Sequence, residues 1–255
     1  MKIAIFDSGI GGLTVLHQAL QQMPQEDYLY YADTLHVPYG TKTKEEIISC
    51  VDEAVAFIAE QDVKALVVAC NTATSVAIAE LRQKYTFPII GMEPAVKPAV
   101  SQSQKRVLVI ATPMTLQEQK LHDLLLQIDM THIVDLLPLP QLVTLAEDGI
   151  FNGAEVEAYL QKEFGRYALE DYDTVVLGYT HFNFFKDTLR RLLPGNISLL
   201  DGSNGTVKHL QHLLAERGLG ENNNGQVTYY QSGKLMLDTT PYEALLSRLD
   251  QMQQY

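Results

Sequence analysis

Nine short apolar or β-branched runs, with helical periodicity between them, constrain this chain more than any other feature. They are KIAIF (2–6), YLYYA (28–32), ALVVA (65–69), PIIGM (88–92), RVLVI (106–110), HIVDL (132–136), TVVLG (174–178), ISLLD (197–201) and QVTYYQ (226–231). Strands alternating with helices predict an α/β fold, with mostly parallel sheets flanked by helices on both faces. Start signals mark two of the helices. Thr43-Lys44-Glu45-Glu46 fits a capping box, and Thr240-Pro241-Tyr242-Glu243 fits another with proline at the first helical position. At 255 residues and 46% hydrophobic content, the chain is long enough for one large domain or two small ones.

The order of strand and turn also repeats. IAIFDSG is followed by LVVACNT, and later VLVIATP by VVLGYTH, so Asp7 corresponds to Thr112 and Cys70 to Tyr179. Residue identity between the copies is low, but the pattern predicts two pseudosymmetric lobes. We expect residues 1–95 with about 208–255 in the first lobe and 96–207 in the second. Ligands of open α/β sheets collect beyond the carboxyl ends of strands, so two such lobes predict a shared cleft.

Bulk composition narrows the partners. A formal net charge of −12 with scattered Lys and Arg argues against a nucleic acid or an anionic membrane surface. The two cysteines, Cys50 and Cys70, are too few for a disulfide scaffold and suit a reducing compartment. The opening MKIAIFDSG lacks the apolar core of a secretory signal, no apolar stretch is long enough to span a membrane, and a cytoplasmic protein is expected. ENNNG at 221–225 reads as a surface turn.

Four strand ends carry side chains capable of chemistry. Asp7-Ser8-Gly9-Ile10-Gly11-Gly12 opens a helix and could hold an anion, although neither the dinucleotide fingerprint nor the phosphate loop fits; a plain tight turn is the competing reading. Cys70-Asn71-Thr72 starts another helix, whose dipole and N–H groups favour a thiolate, against a base rate of inert buried cysteines. Cys50, among apolar positions of IISCVDEAVAFI, is assigned to the core. Tyr179-Thr180-His181 takes the equivalent place in the second copy, and Glu147 of LAEDG and Thr112 and Thr115 of ATPMT lie on loops able to reach the same cleft.

Taken in order, IAIFDSGIGGLTVL, YADTLHVPYG, VVACNTAT, IIGMEPAVKPA, ATPMT, AEDG and LGYTHF resemble the cofactor-independent glutamate racemases of bacterial cell-wall synthesis. The resemblance runs from Ile3 to about Gly205. It implies an isomerase that works without pyridoxal phosphate or metal on a small amino acid, and dimers are usual in that family. It makes Asp7, Ser8, Tyr39, Gly40, Asn71, Thr72, Thr180 and His181 substrate contacts and Cys70 one acid/base. Asp7 and His181 would assist the proton transfers, with Glu147, Thr112 and Thr115 as nearby polar groups. A substrate with two carboxylates and one ammonium needs hydroxyls, amides and helix N-termini of this kind.

One position departs from the pattern. Where the family has Gly-Cys-Thr-His, this chain has Gly178-Tyr179-Thr180-His181, and Asn183 stands where a proline is usual. The reference pKa of a phenol lies about 1.5 units above that of a thiol, so roughly thirty-fold less is ionised at a given pH. Its ring is also longer, and displacement by about 1 Å can cost a hundred-fold in rate. Weak racemisation is therefore expected unless Tyr179 swings aside or its pocket is wider. Two alternatives stay open: a single-cysteine decarboxylase, and an amino-acid-binding or regulatory protein that has lost catalysis.

Overall fold

All nine runs form strands in the computed structural model, which describes residues 1–92, 95–117, 119–220 and 223–255. Glu93 and Pro94 of IIGMEPAVKPA, and Glu221 and Asn222 of ENNNG, lie outside the described residues. The strands are β1 (Lys2–Asp7), β2 (Tyr28–Ala32), β3 (Val63–Val68), β4 (Ile89–Gly91), β5 (Arg106–Ala111), β6 (Val134–Pro138), β7 (Tyr172–Leu177), β8 (Ser198–Asp201) and β9 (Val227–Gln231). A further short strand, β10 (Lys234–Leu235), was not anticipated. The helices are α1 (Leu13–Gln22), α2 (Lys44–Ala59), α3 (Asn71–Lys84), α4 (Val96–Gln102), α5 (Pro113–Gln117) and α6 (Gln119–Ile128). They continue with α7 (Pro140–Glu147), α8 (Ala154–Phe164), α9 (Lys186–Leu192), α10 (Ser203–Glu216) and α11 (Thr240–Met252). Among the described residues, no helix is long and apolar enough to cross a membrane.

The chain divides into two compact units, Met1–Glu93 with Ser203–Ser247, and Pro94–Gly202 with Arg248–Tyr255. Residues 248–255, read from the sequence with the first lobe, group with the second unit. Arg248 explains this, because its guanidinium donates to the Phe184 carbonyl at 2.7 Å and to the Asp187 carboxylate at 3.1 Å.

In the first unit the strand order is β10-β9-β2-β1-β3-β4, parallel throughout except for the antiparallel pair β9/β10. The hairpin turn between β9 and β10 places Ser232 and Gly233 at φ 43° and 80°, the left-handed pair that a two-residue connection requires. In the second unit the order is β6-β5-β7-β8, all parallel. Strands such as β1, β3, β5 and β7 are buried almost end to end, which is why they read as unbroken apolar runs rather than alternating ones.

Leaving out β9 and β10, the two sheets share one order, β2-β1-β3-β4 matching β6-β5-β7-β8. They also share a flaw. The β1/β3 register slips between Lys2 and Ile3, and the β5/β7 register slips between Arg106 and Val107, at the same rung of each sheet. In each unit the first strand has its successors on opposite sides, so the chain reverses direction across the sheet beside β1 and beside β5. Ligand sites of open sheets form at such points, beyond the strand ends. Those ends carry Asp7 and Cys70 in one unit, and Thr112 and Tyr179 in the other.

The capping box at Thr43 forms as expected, with its hydroxyl accepting from the Glu46 N–H and the Glu46 carboxylate accepting from the Thr43 N–H. The start of α11 differs from the expected box. Because α11 already includes Thr240, Pro241 is its second position, and it is Thr239 whose hydroxyl donates to Glu243 at 2.6 Å. Asp238 accepts from the Thr240 N–H instead.

Candidate active site

In the first unit, β1 runs into a turn that must pass close beneath its own helix. A side chain on Gly12 would meet the Asp7 Cβ at 2.6 Å and the Ala69 Cβ at 3.2 Å, so only glycine lets α1 start against this strand end. Asp7 is fully buried and accepts from the Gly9 N–H at 2.8 Å, which holds the turn shut. The Ser8 hydroxyl lies 3.5 Å from the Cys70 sulfur.

Cys70 takes the N-cap position of α3, and its sulfur accepts from the Ala73 N–H at 3.4 Å. The sequence places it there, where the helix end is expected to favour a thiolate. The balance goes the other way. Burial, reinforced by the Asp7 carboxylate, pushes the Cys70 thiol up to about 12, and the opposing hydrogen bonds from Ser8 and Ala73 are the weaker influence. A proton removed by this sulfur is thus held tightly, as suits a strong base that is formed only transiently.

The next two residues supply the clearest mark of a ligand site. Asn71 Oδ1 and Thr72 Oγ1 are buried and have no hydrogen-bond partner among the described residues. Buried polar atoms are almost always paired, and leaving one unpaired costs about 1–3 kcal/mol. Two such atoms, adjacent to a buried thiol at one helix start, form a set prepared to meet a polar molecule. Neighbouring polar groups are satisfied, for the Thr74 hydroxyl donates to the Val68 carbonyl at 2.9 Å and so anchors α3 to the sheet.

Tyr39 and Gly40 stand in a short 3-10 turn, Tyr39–Thr41. The Tyr39 ring is buried and its hydroxyl donates to Asp33 Oδ2 at 2.7 Å; burial and that carboxylate together hold its pKa well above the ordinary phenol range. Asp33 was missed by the sequence argument. Its signal was available, an acidic residue immediately after a wholly buried strand. Cys50 also differs from expectation, being half-buried on α2 rather than in the core.

In the second unit, a side chain on Gly178 would meet the Ile110 carbonyl at 2.9 Å, so β7 ends in tight contact with β5. Tyr179 follows and is only 1% exposed. Its ring lies nearly parallel to the His181 imidazole, with centroids 4.9 Å apart and planes 20° apart, and tilts against Phe182 at 5.7 Å. His181 Nε2 is 2.5 Å from Glu147 Oε1, and its Nδ1 is 3.4 Å from the Thr180 hydroxyl. Glu147, the last residue of α7, is therefore drawn to His181. The Thr112 and Thr115 hydroxyls are buried and 2.9 Å apart. Asn183, in the place where proline was expected, donates to the Thr180 carbonyl at 3.3 Å and closes the 3-10 turn Thr180–Phe185.

The structure thus gathers Asp7, Ser8, Cys70, Asn71 and Thr72 at neighbouring strand ends of the first unit, with Tyr39 in a separate turn. In the second unit Tyr179, Thr180, His181 and Glu147 form one connected group, and Thr112 and Thr115 another.

The model of the Asp/Glu/Hydantoin racemase family matches residues 8–210. The chain is 49% identical to a glutamate racemase of Halothermothrix orenii over 237 residues, which is 92% of this chain and 94% of that one. Among solved structures, Escherichia coli glutamate racemase in complex with L-glutamate and the activator UDP-MurNAc-Ala has a TM-score of 0.78 at 31% identity, covering 84% of this chain and 82% of the other. Francisella tularensis glutamate racemase in complex with D-glutamate has a TM-score of 0.80 at 27% identity, covering 100% and 98%.

Proposed function

The chain belongs to the Asp/Glu/hydantoin racemase family, and from that premise we propose that it interconverts L- and D-glutamate by proton transfer at the α-carbon, supplying D-glutamate for peptidoglycan. The observation that carries the site is the pair of acceptors unpartnered among the described residues, Asn71 Oδ1 and Thr72 Oγ1, beside a fully buried thiol. An amino acid's ammonium can donate to both, and the N–H groups at the start of α3 suit a carboxylate. The relatives solved with L-glutamate and with D-glutamate support glutamate as the small molecule that fills this role.

On this reading Cys70 removes the α-proton from one face, its thiolate becoming a thiol and the substrate a carbanion. A proton returned by the Tyr179 hydroxyl, or by water, to the other face completes inversion, and the cycle closes when the Cys70 thiol gives its proton to solvent while the phenolate, or the hydroxide, takes one back. Asp7 and Ser8 set the basicity of Cys70, while His181 and Glu147 position the tyrosine side of the reaction. Tyr39, Gly40, Thr112, Thr115 and Thr180 complete the polar lining by analogy with the family. We further place the protein in the cytoplasm, where its two free thiols stay reduced, and read it as a homodimer, as is usual in the family.

The test is proton NMR of L- and D-glutamate in heavy water, followed alongside by circular dichroism. Loss of the α-proton signal together with inversion is the expected outcome, and Cys70→Ser should lower exchange by at least about a hundred-fold. Exchange that survives Cys70→Ser would remove Cys70 as the base. The packing of Tyr179 against His181 favours one variant of this reading, in which exchange on the Cys70 face outruns inversion. No exchange from either enantiomer would leave a protein that binds the amino acid without turning it over.

A further inference from the structure

Three chemically different metal-binding side chains meet in the first unit, outside the group around Cys70. Asp33 and His36 lie on the loop after β2, and Cys50 is carried by α2; a carboxylate oxygen, a ring nitrogen and the sulfur all fall within 4.8 Å of one another. His36 Nδ1 is 2.9 Å from both oxygens of Asp33. Asp33 is buried and held from behind, since the Ser232 hydroxyl donates to Oδ1 at 3.0 Å and the Tyr39 hydroxyl to Oδ2 at 2.7 Å. Outer hydrogen bonds of this kind orient a coordinating carboxylate. His36 and Cys50 are only half-buried, which leaves a way in from solvent.

We propose that Asp33, His36 and Cys50 form a binding site for a divalent transition-metal ion of zinc-like preference. The donor set selects the ion. A thiolate and an imidazole suit Zn2+ or Co2+ and are poor partners for Mg2+ or Ca2+, which require oxygen. Tetrahedral bonds of about 2.0–2.3 Å would put the donor atoms about 3.3–3.8 Å apart. Enclosing an ion here calls for movements of about 1 Å, within reach of a thiol rotamer and a half-buried imidazole. Binding replaces the Cys50 S–H bond with a sulfur–metal bond and releases that proton to solvent; no oxidation is involved. Three protein donors leave the fourth position to water. Because Asp33 also holds the Tyr39 hydroxyl, an ion here would fix the 33–40 loop to α2.

The test uses the full-length protein in its reduced form, titrated with Co2+ as the spectroscopic probe and then with Zn2+. The expected result is one equivalent of Co2+ with a thiolate-to-metal charge-transfer band in the near ultraviolet, displaced by Zn2+. That band should vanish in Cys50→Ser, persist in Cys70→Ser, and require at least about ten-fold more Co2+ in His36→Ala. Should Cys50→Ser fail to fold by circular dichroism, the His36→Ala shift decides. A wild-type protein with no band, or a band that disappears with Cys70 rather than Cys50, overturns the proposal.

Discussion

Tyr179 presses its ring against the His181 imidazole, and that contact settles what the phenol can do more than its intrinsic acidity does. A side chain that is 1% exposed and flanked by His181 and Phe182 reorients only by disturbing the 3-10 turn that carries them. Tyr179→Cys should shorten the side chain, restore a thiol at this strand end and raise the rate of inversion by about ten-fold or more, measured by circular dichroism with either enantiomer. An unchanged or lower rate would mean that the tyrosine is an adapted part of the reaction and not an obstacle to it. Cys70 poses the opposite problem. Its sulfur is where the sequence placed it, yet its acidity was misjudged, because a helix end is visible in a sequence and the desolvation of a fully buried strand terminus is not.

The strands and their turns were legible for a physical reason. A parallel strand covered on both faces must be apolar throughout, and runs such as LVVA and VLVI advertise that without any alternation. β10 escaped notice because a two-residue strand has no periodicity to read, and only the Ser232-Gly233 turn announced it. Cys50 escaped too: on α2 the buried positions are Ile47, Val51, Ala54, Val55 and Ile58, and Cys50 falls on the margin of that stripe. The residues of the candidate site that follow strand ends were found directly, whereas Asp33 is recognised only once Tyr39, His36 and Ser232 are seen converging on it. Two substitutions test the elements themselves. Thr43→Ala removes one half of a complete capping box and should cost about 1 kcal/mol. Gly178→Ala forces a methyl group to 2.9 Å from the backbone oxygen of Ile110 and should cost about 1–3 kcal/mol. Each is read as a lowered urea midpoint, and the glycine change should also depress exchange at Tyr179, its neighbour in the chain.

For the protein as a unit, the buried acids that hold their protons set its alkaline limit. Burial, first of all, pushes Cys70, Tyr31 and Tyr172 up to about 12, and Tyr28 and Tyr39 are raised as well. Above about pH 9 the unfolded chain releases these protons while the folded chain keeps them, so the unfolded state binds fewer and stability falls as pH rises. Urea midpoints should therefore be flat near neutrality and decline steadily from about pH 9 toward 12, more steeply than in a Tyr31→Phe, Tyr172→Phe double variant. A midpoint independent of pH across that range would contradict the assigned shifts.

The register slip that β1/β3 and β5/β7 share has no task to perform twice, since the skipped residues are a buried Lys64 in one sheet and a hydrogen-bond acceptor, Asp173, in the other. The repetition therefore lies in the path of the backbone and not in the side chains set on it. Two identical copies of one half would have to carry the same residue at both strand ends. A single chain that holds both halves gives each end a residue of its own, and that is what lets a cysteine at 70 coexist with a tyrosine at 179.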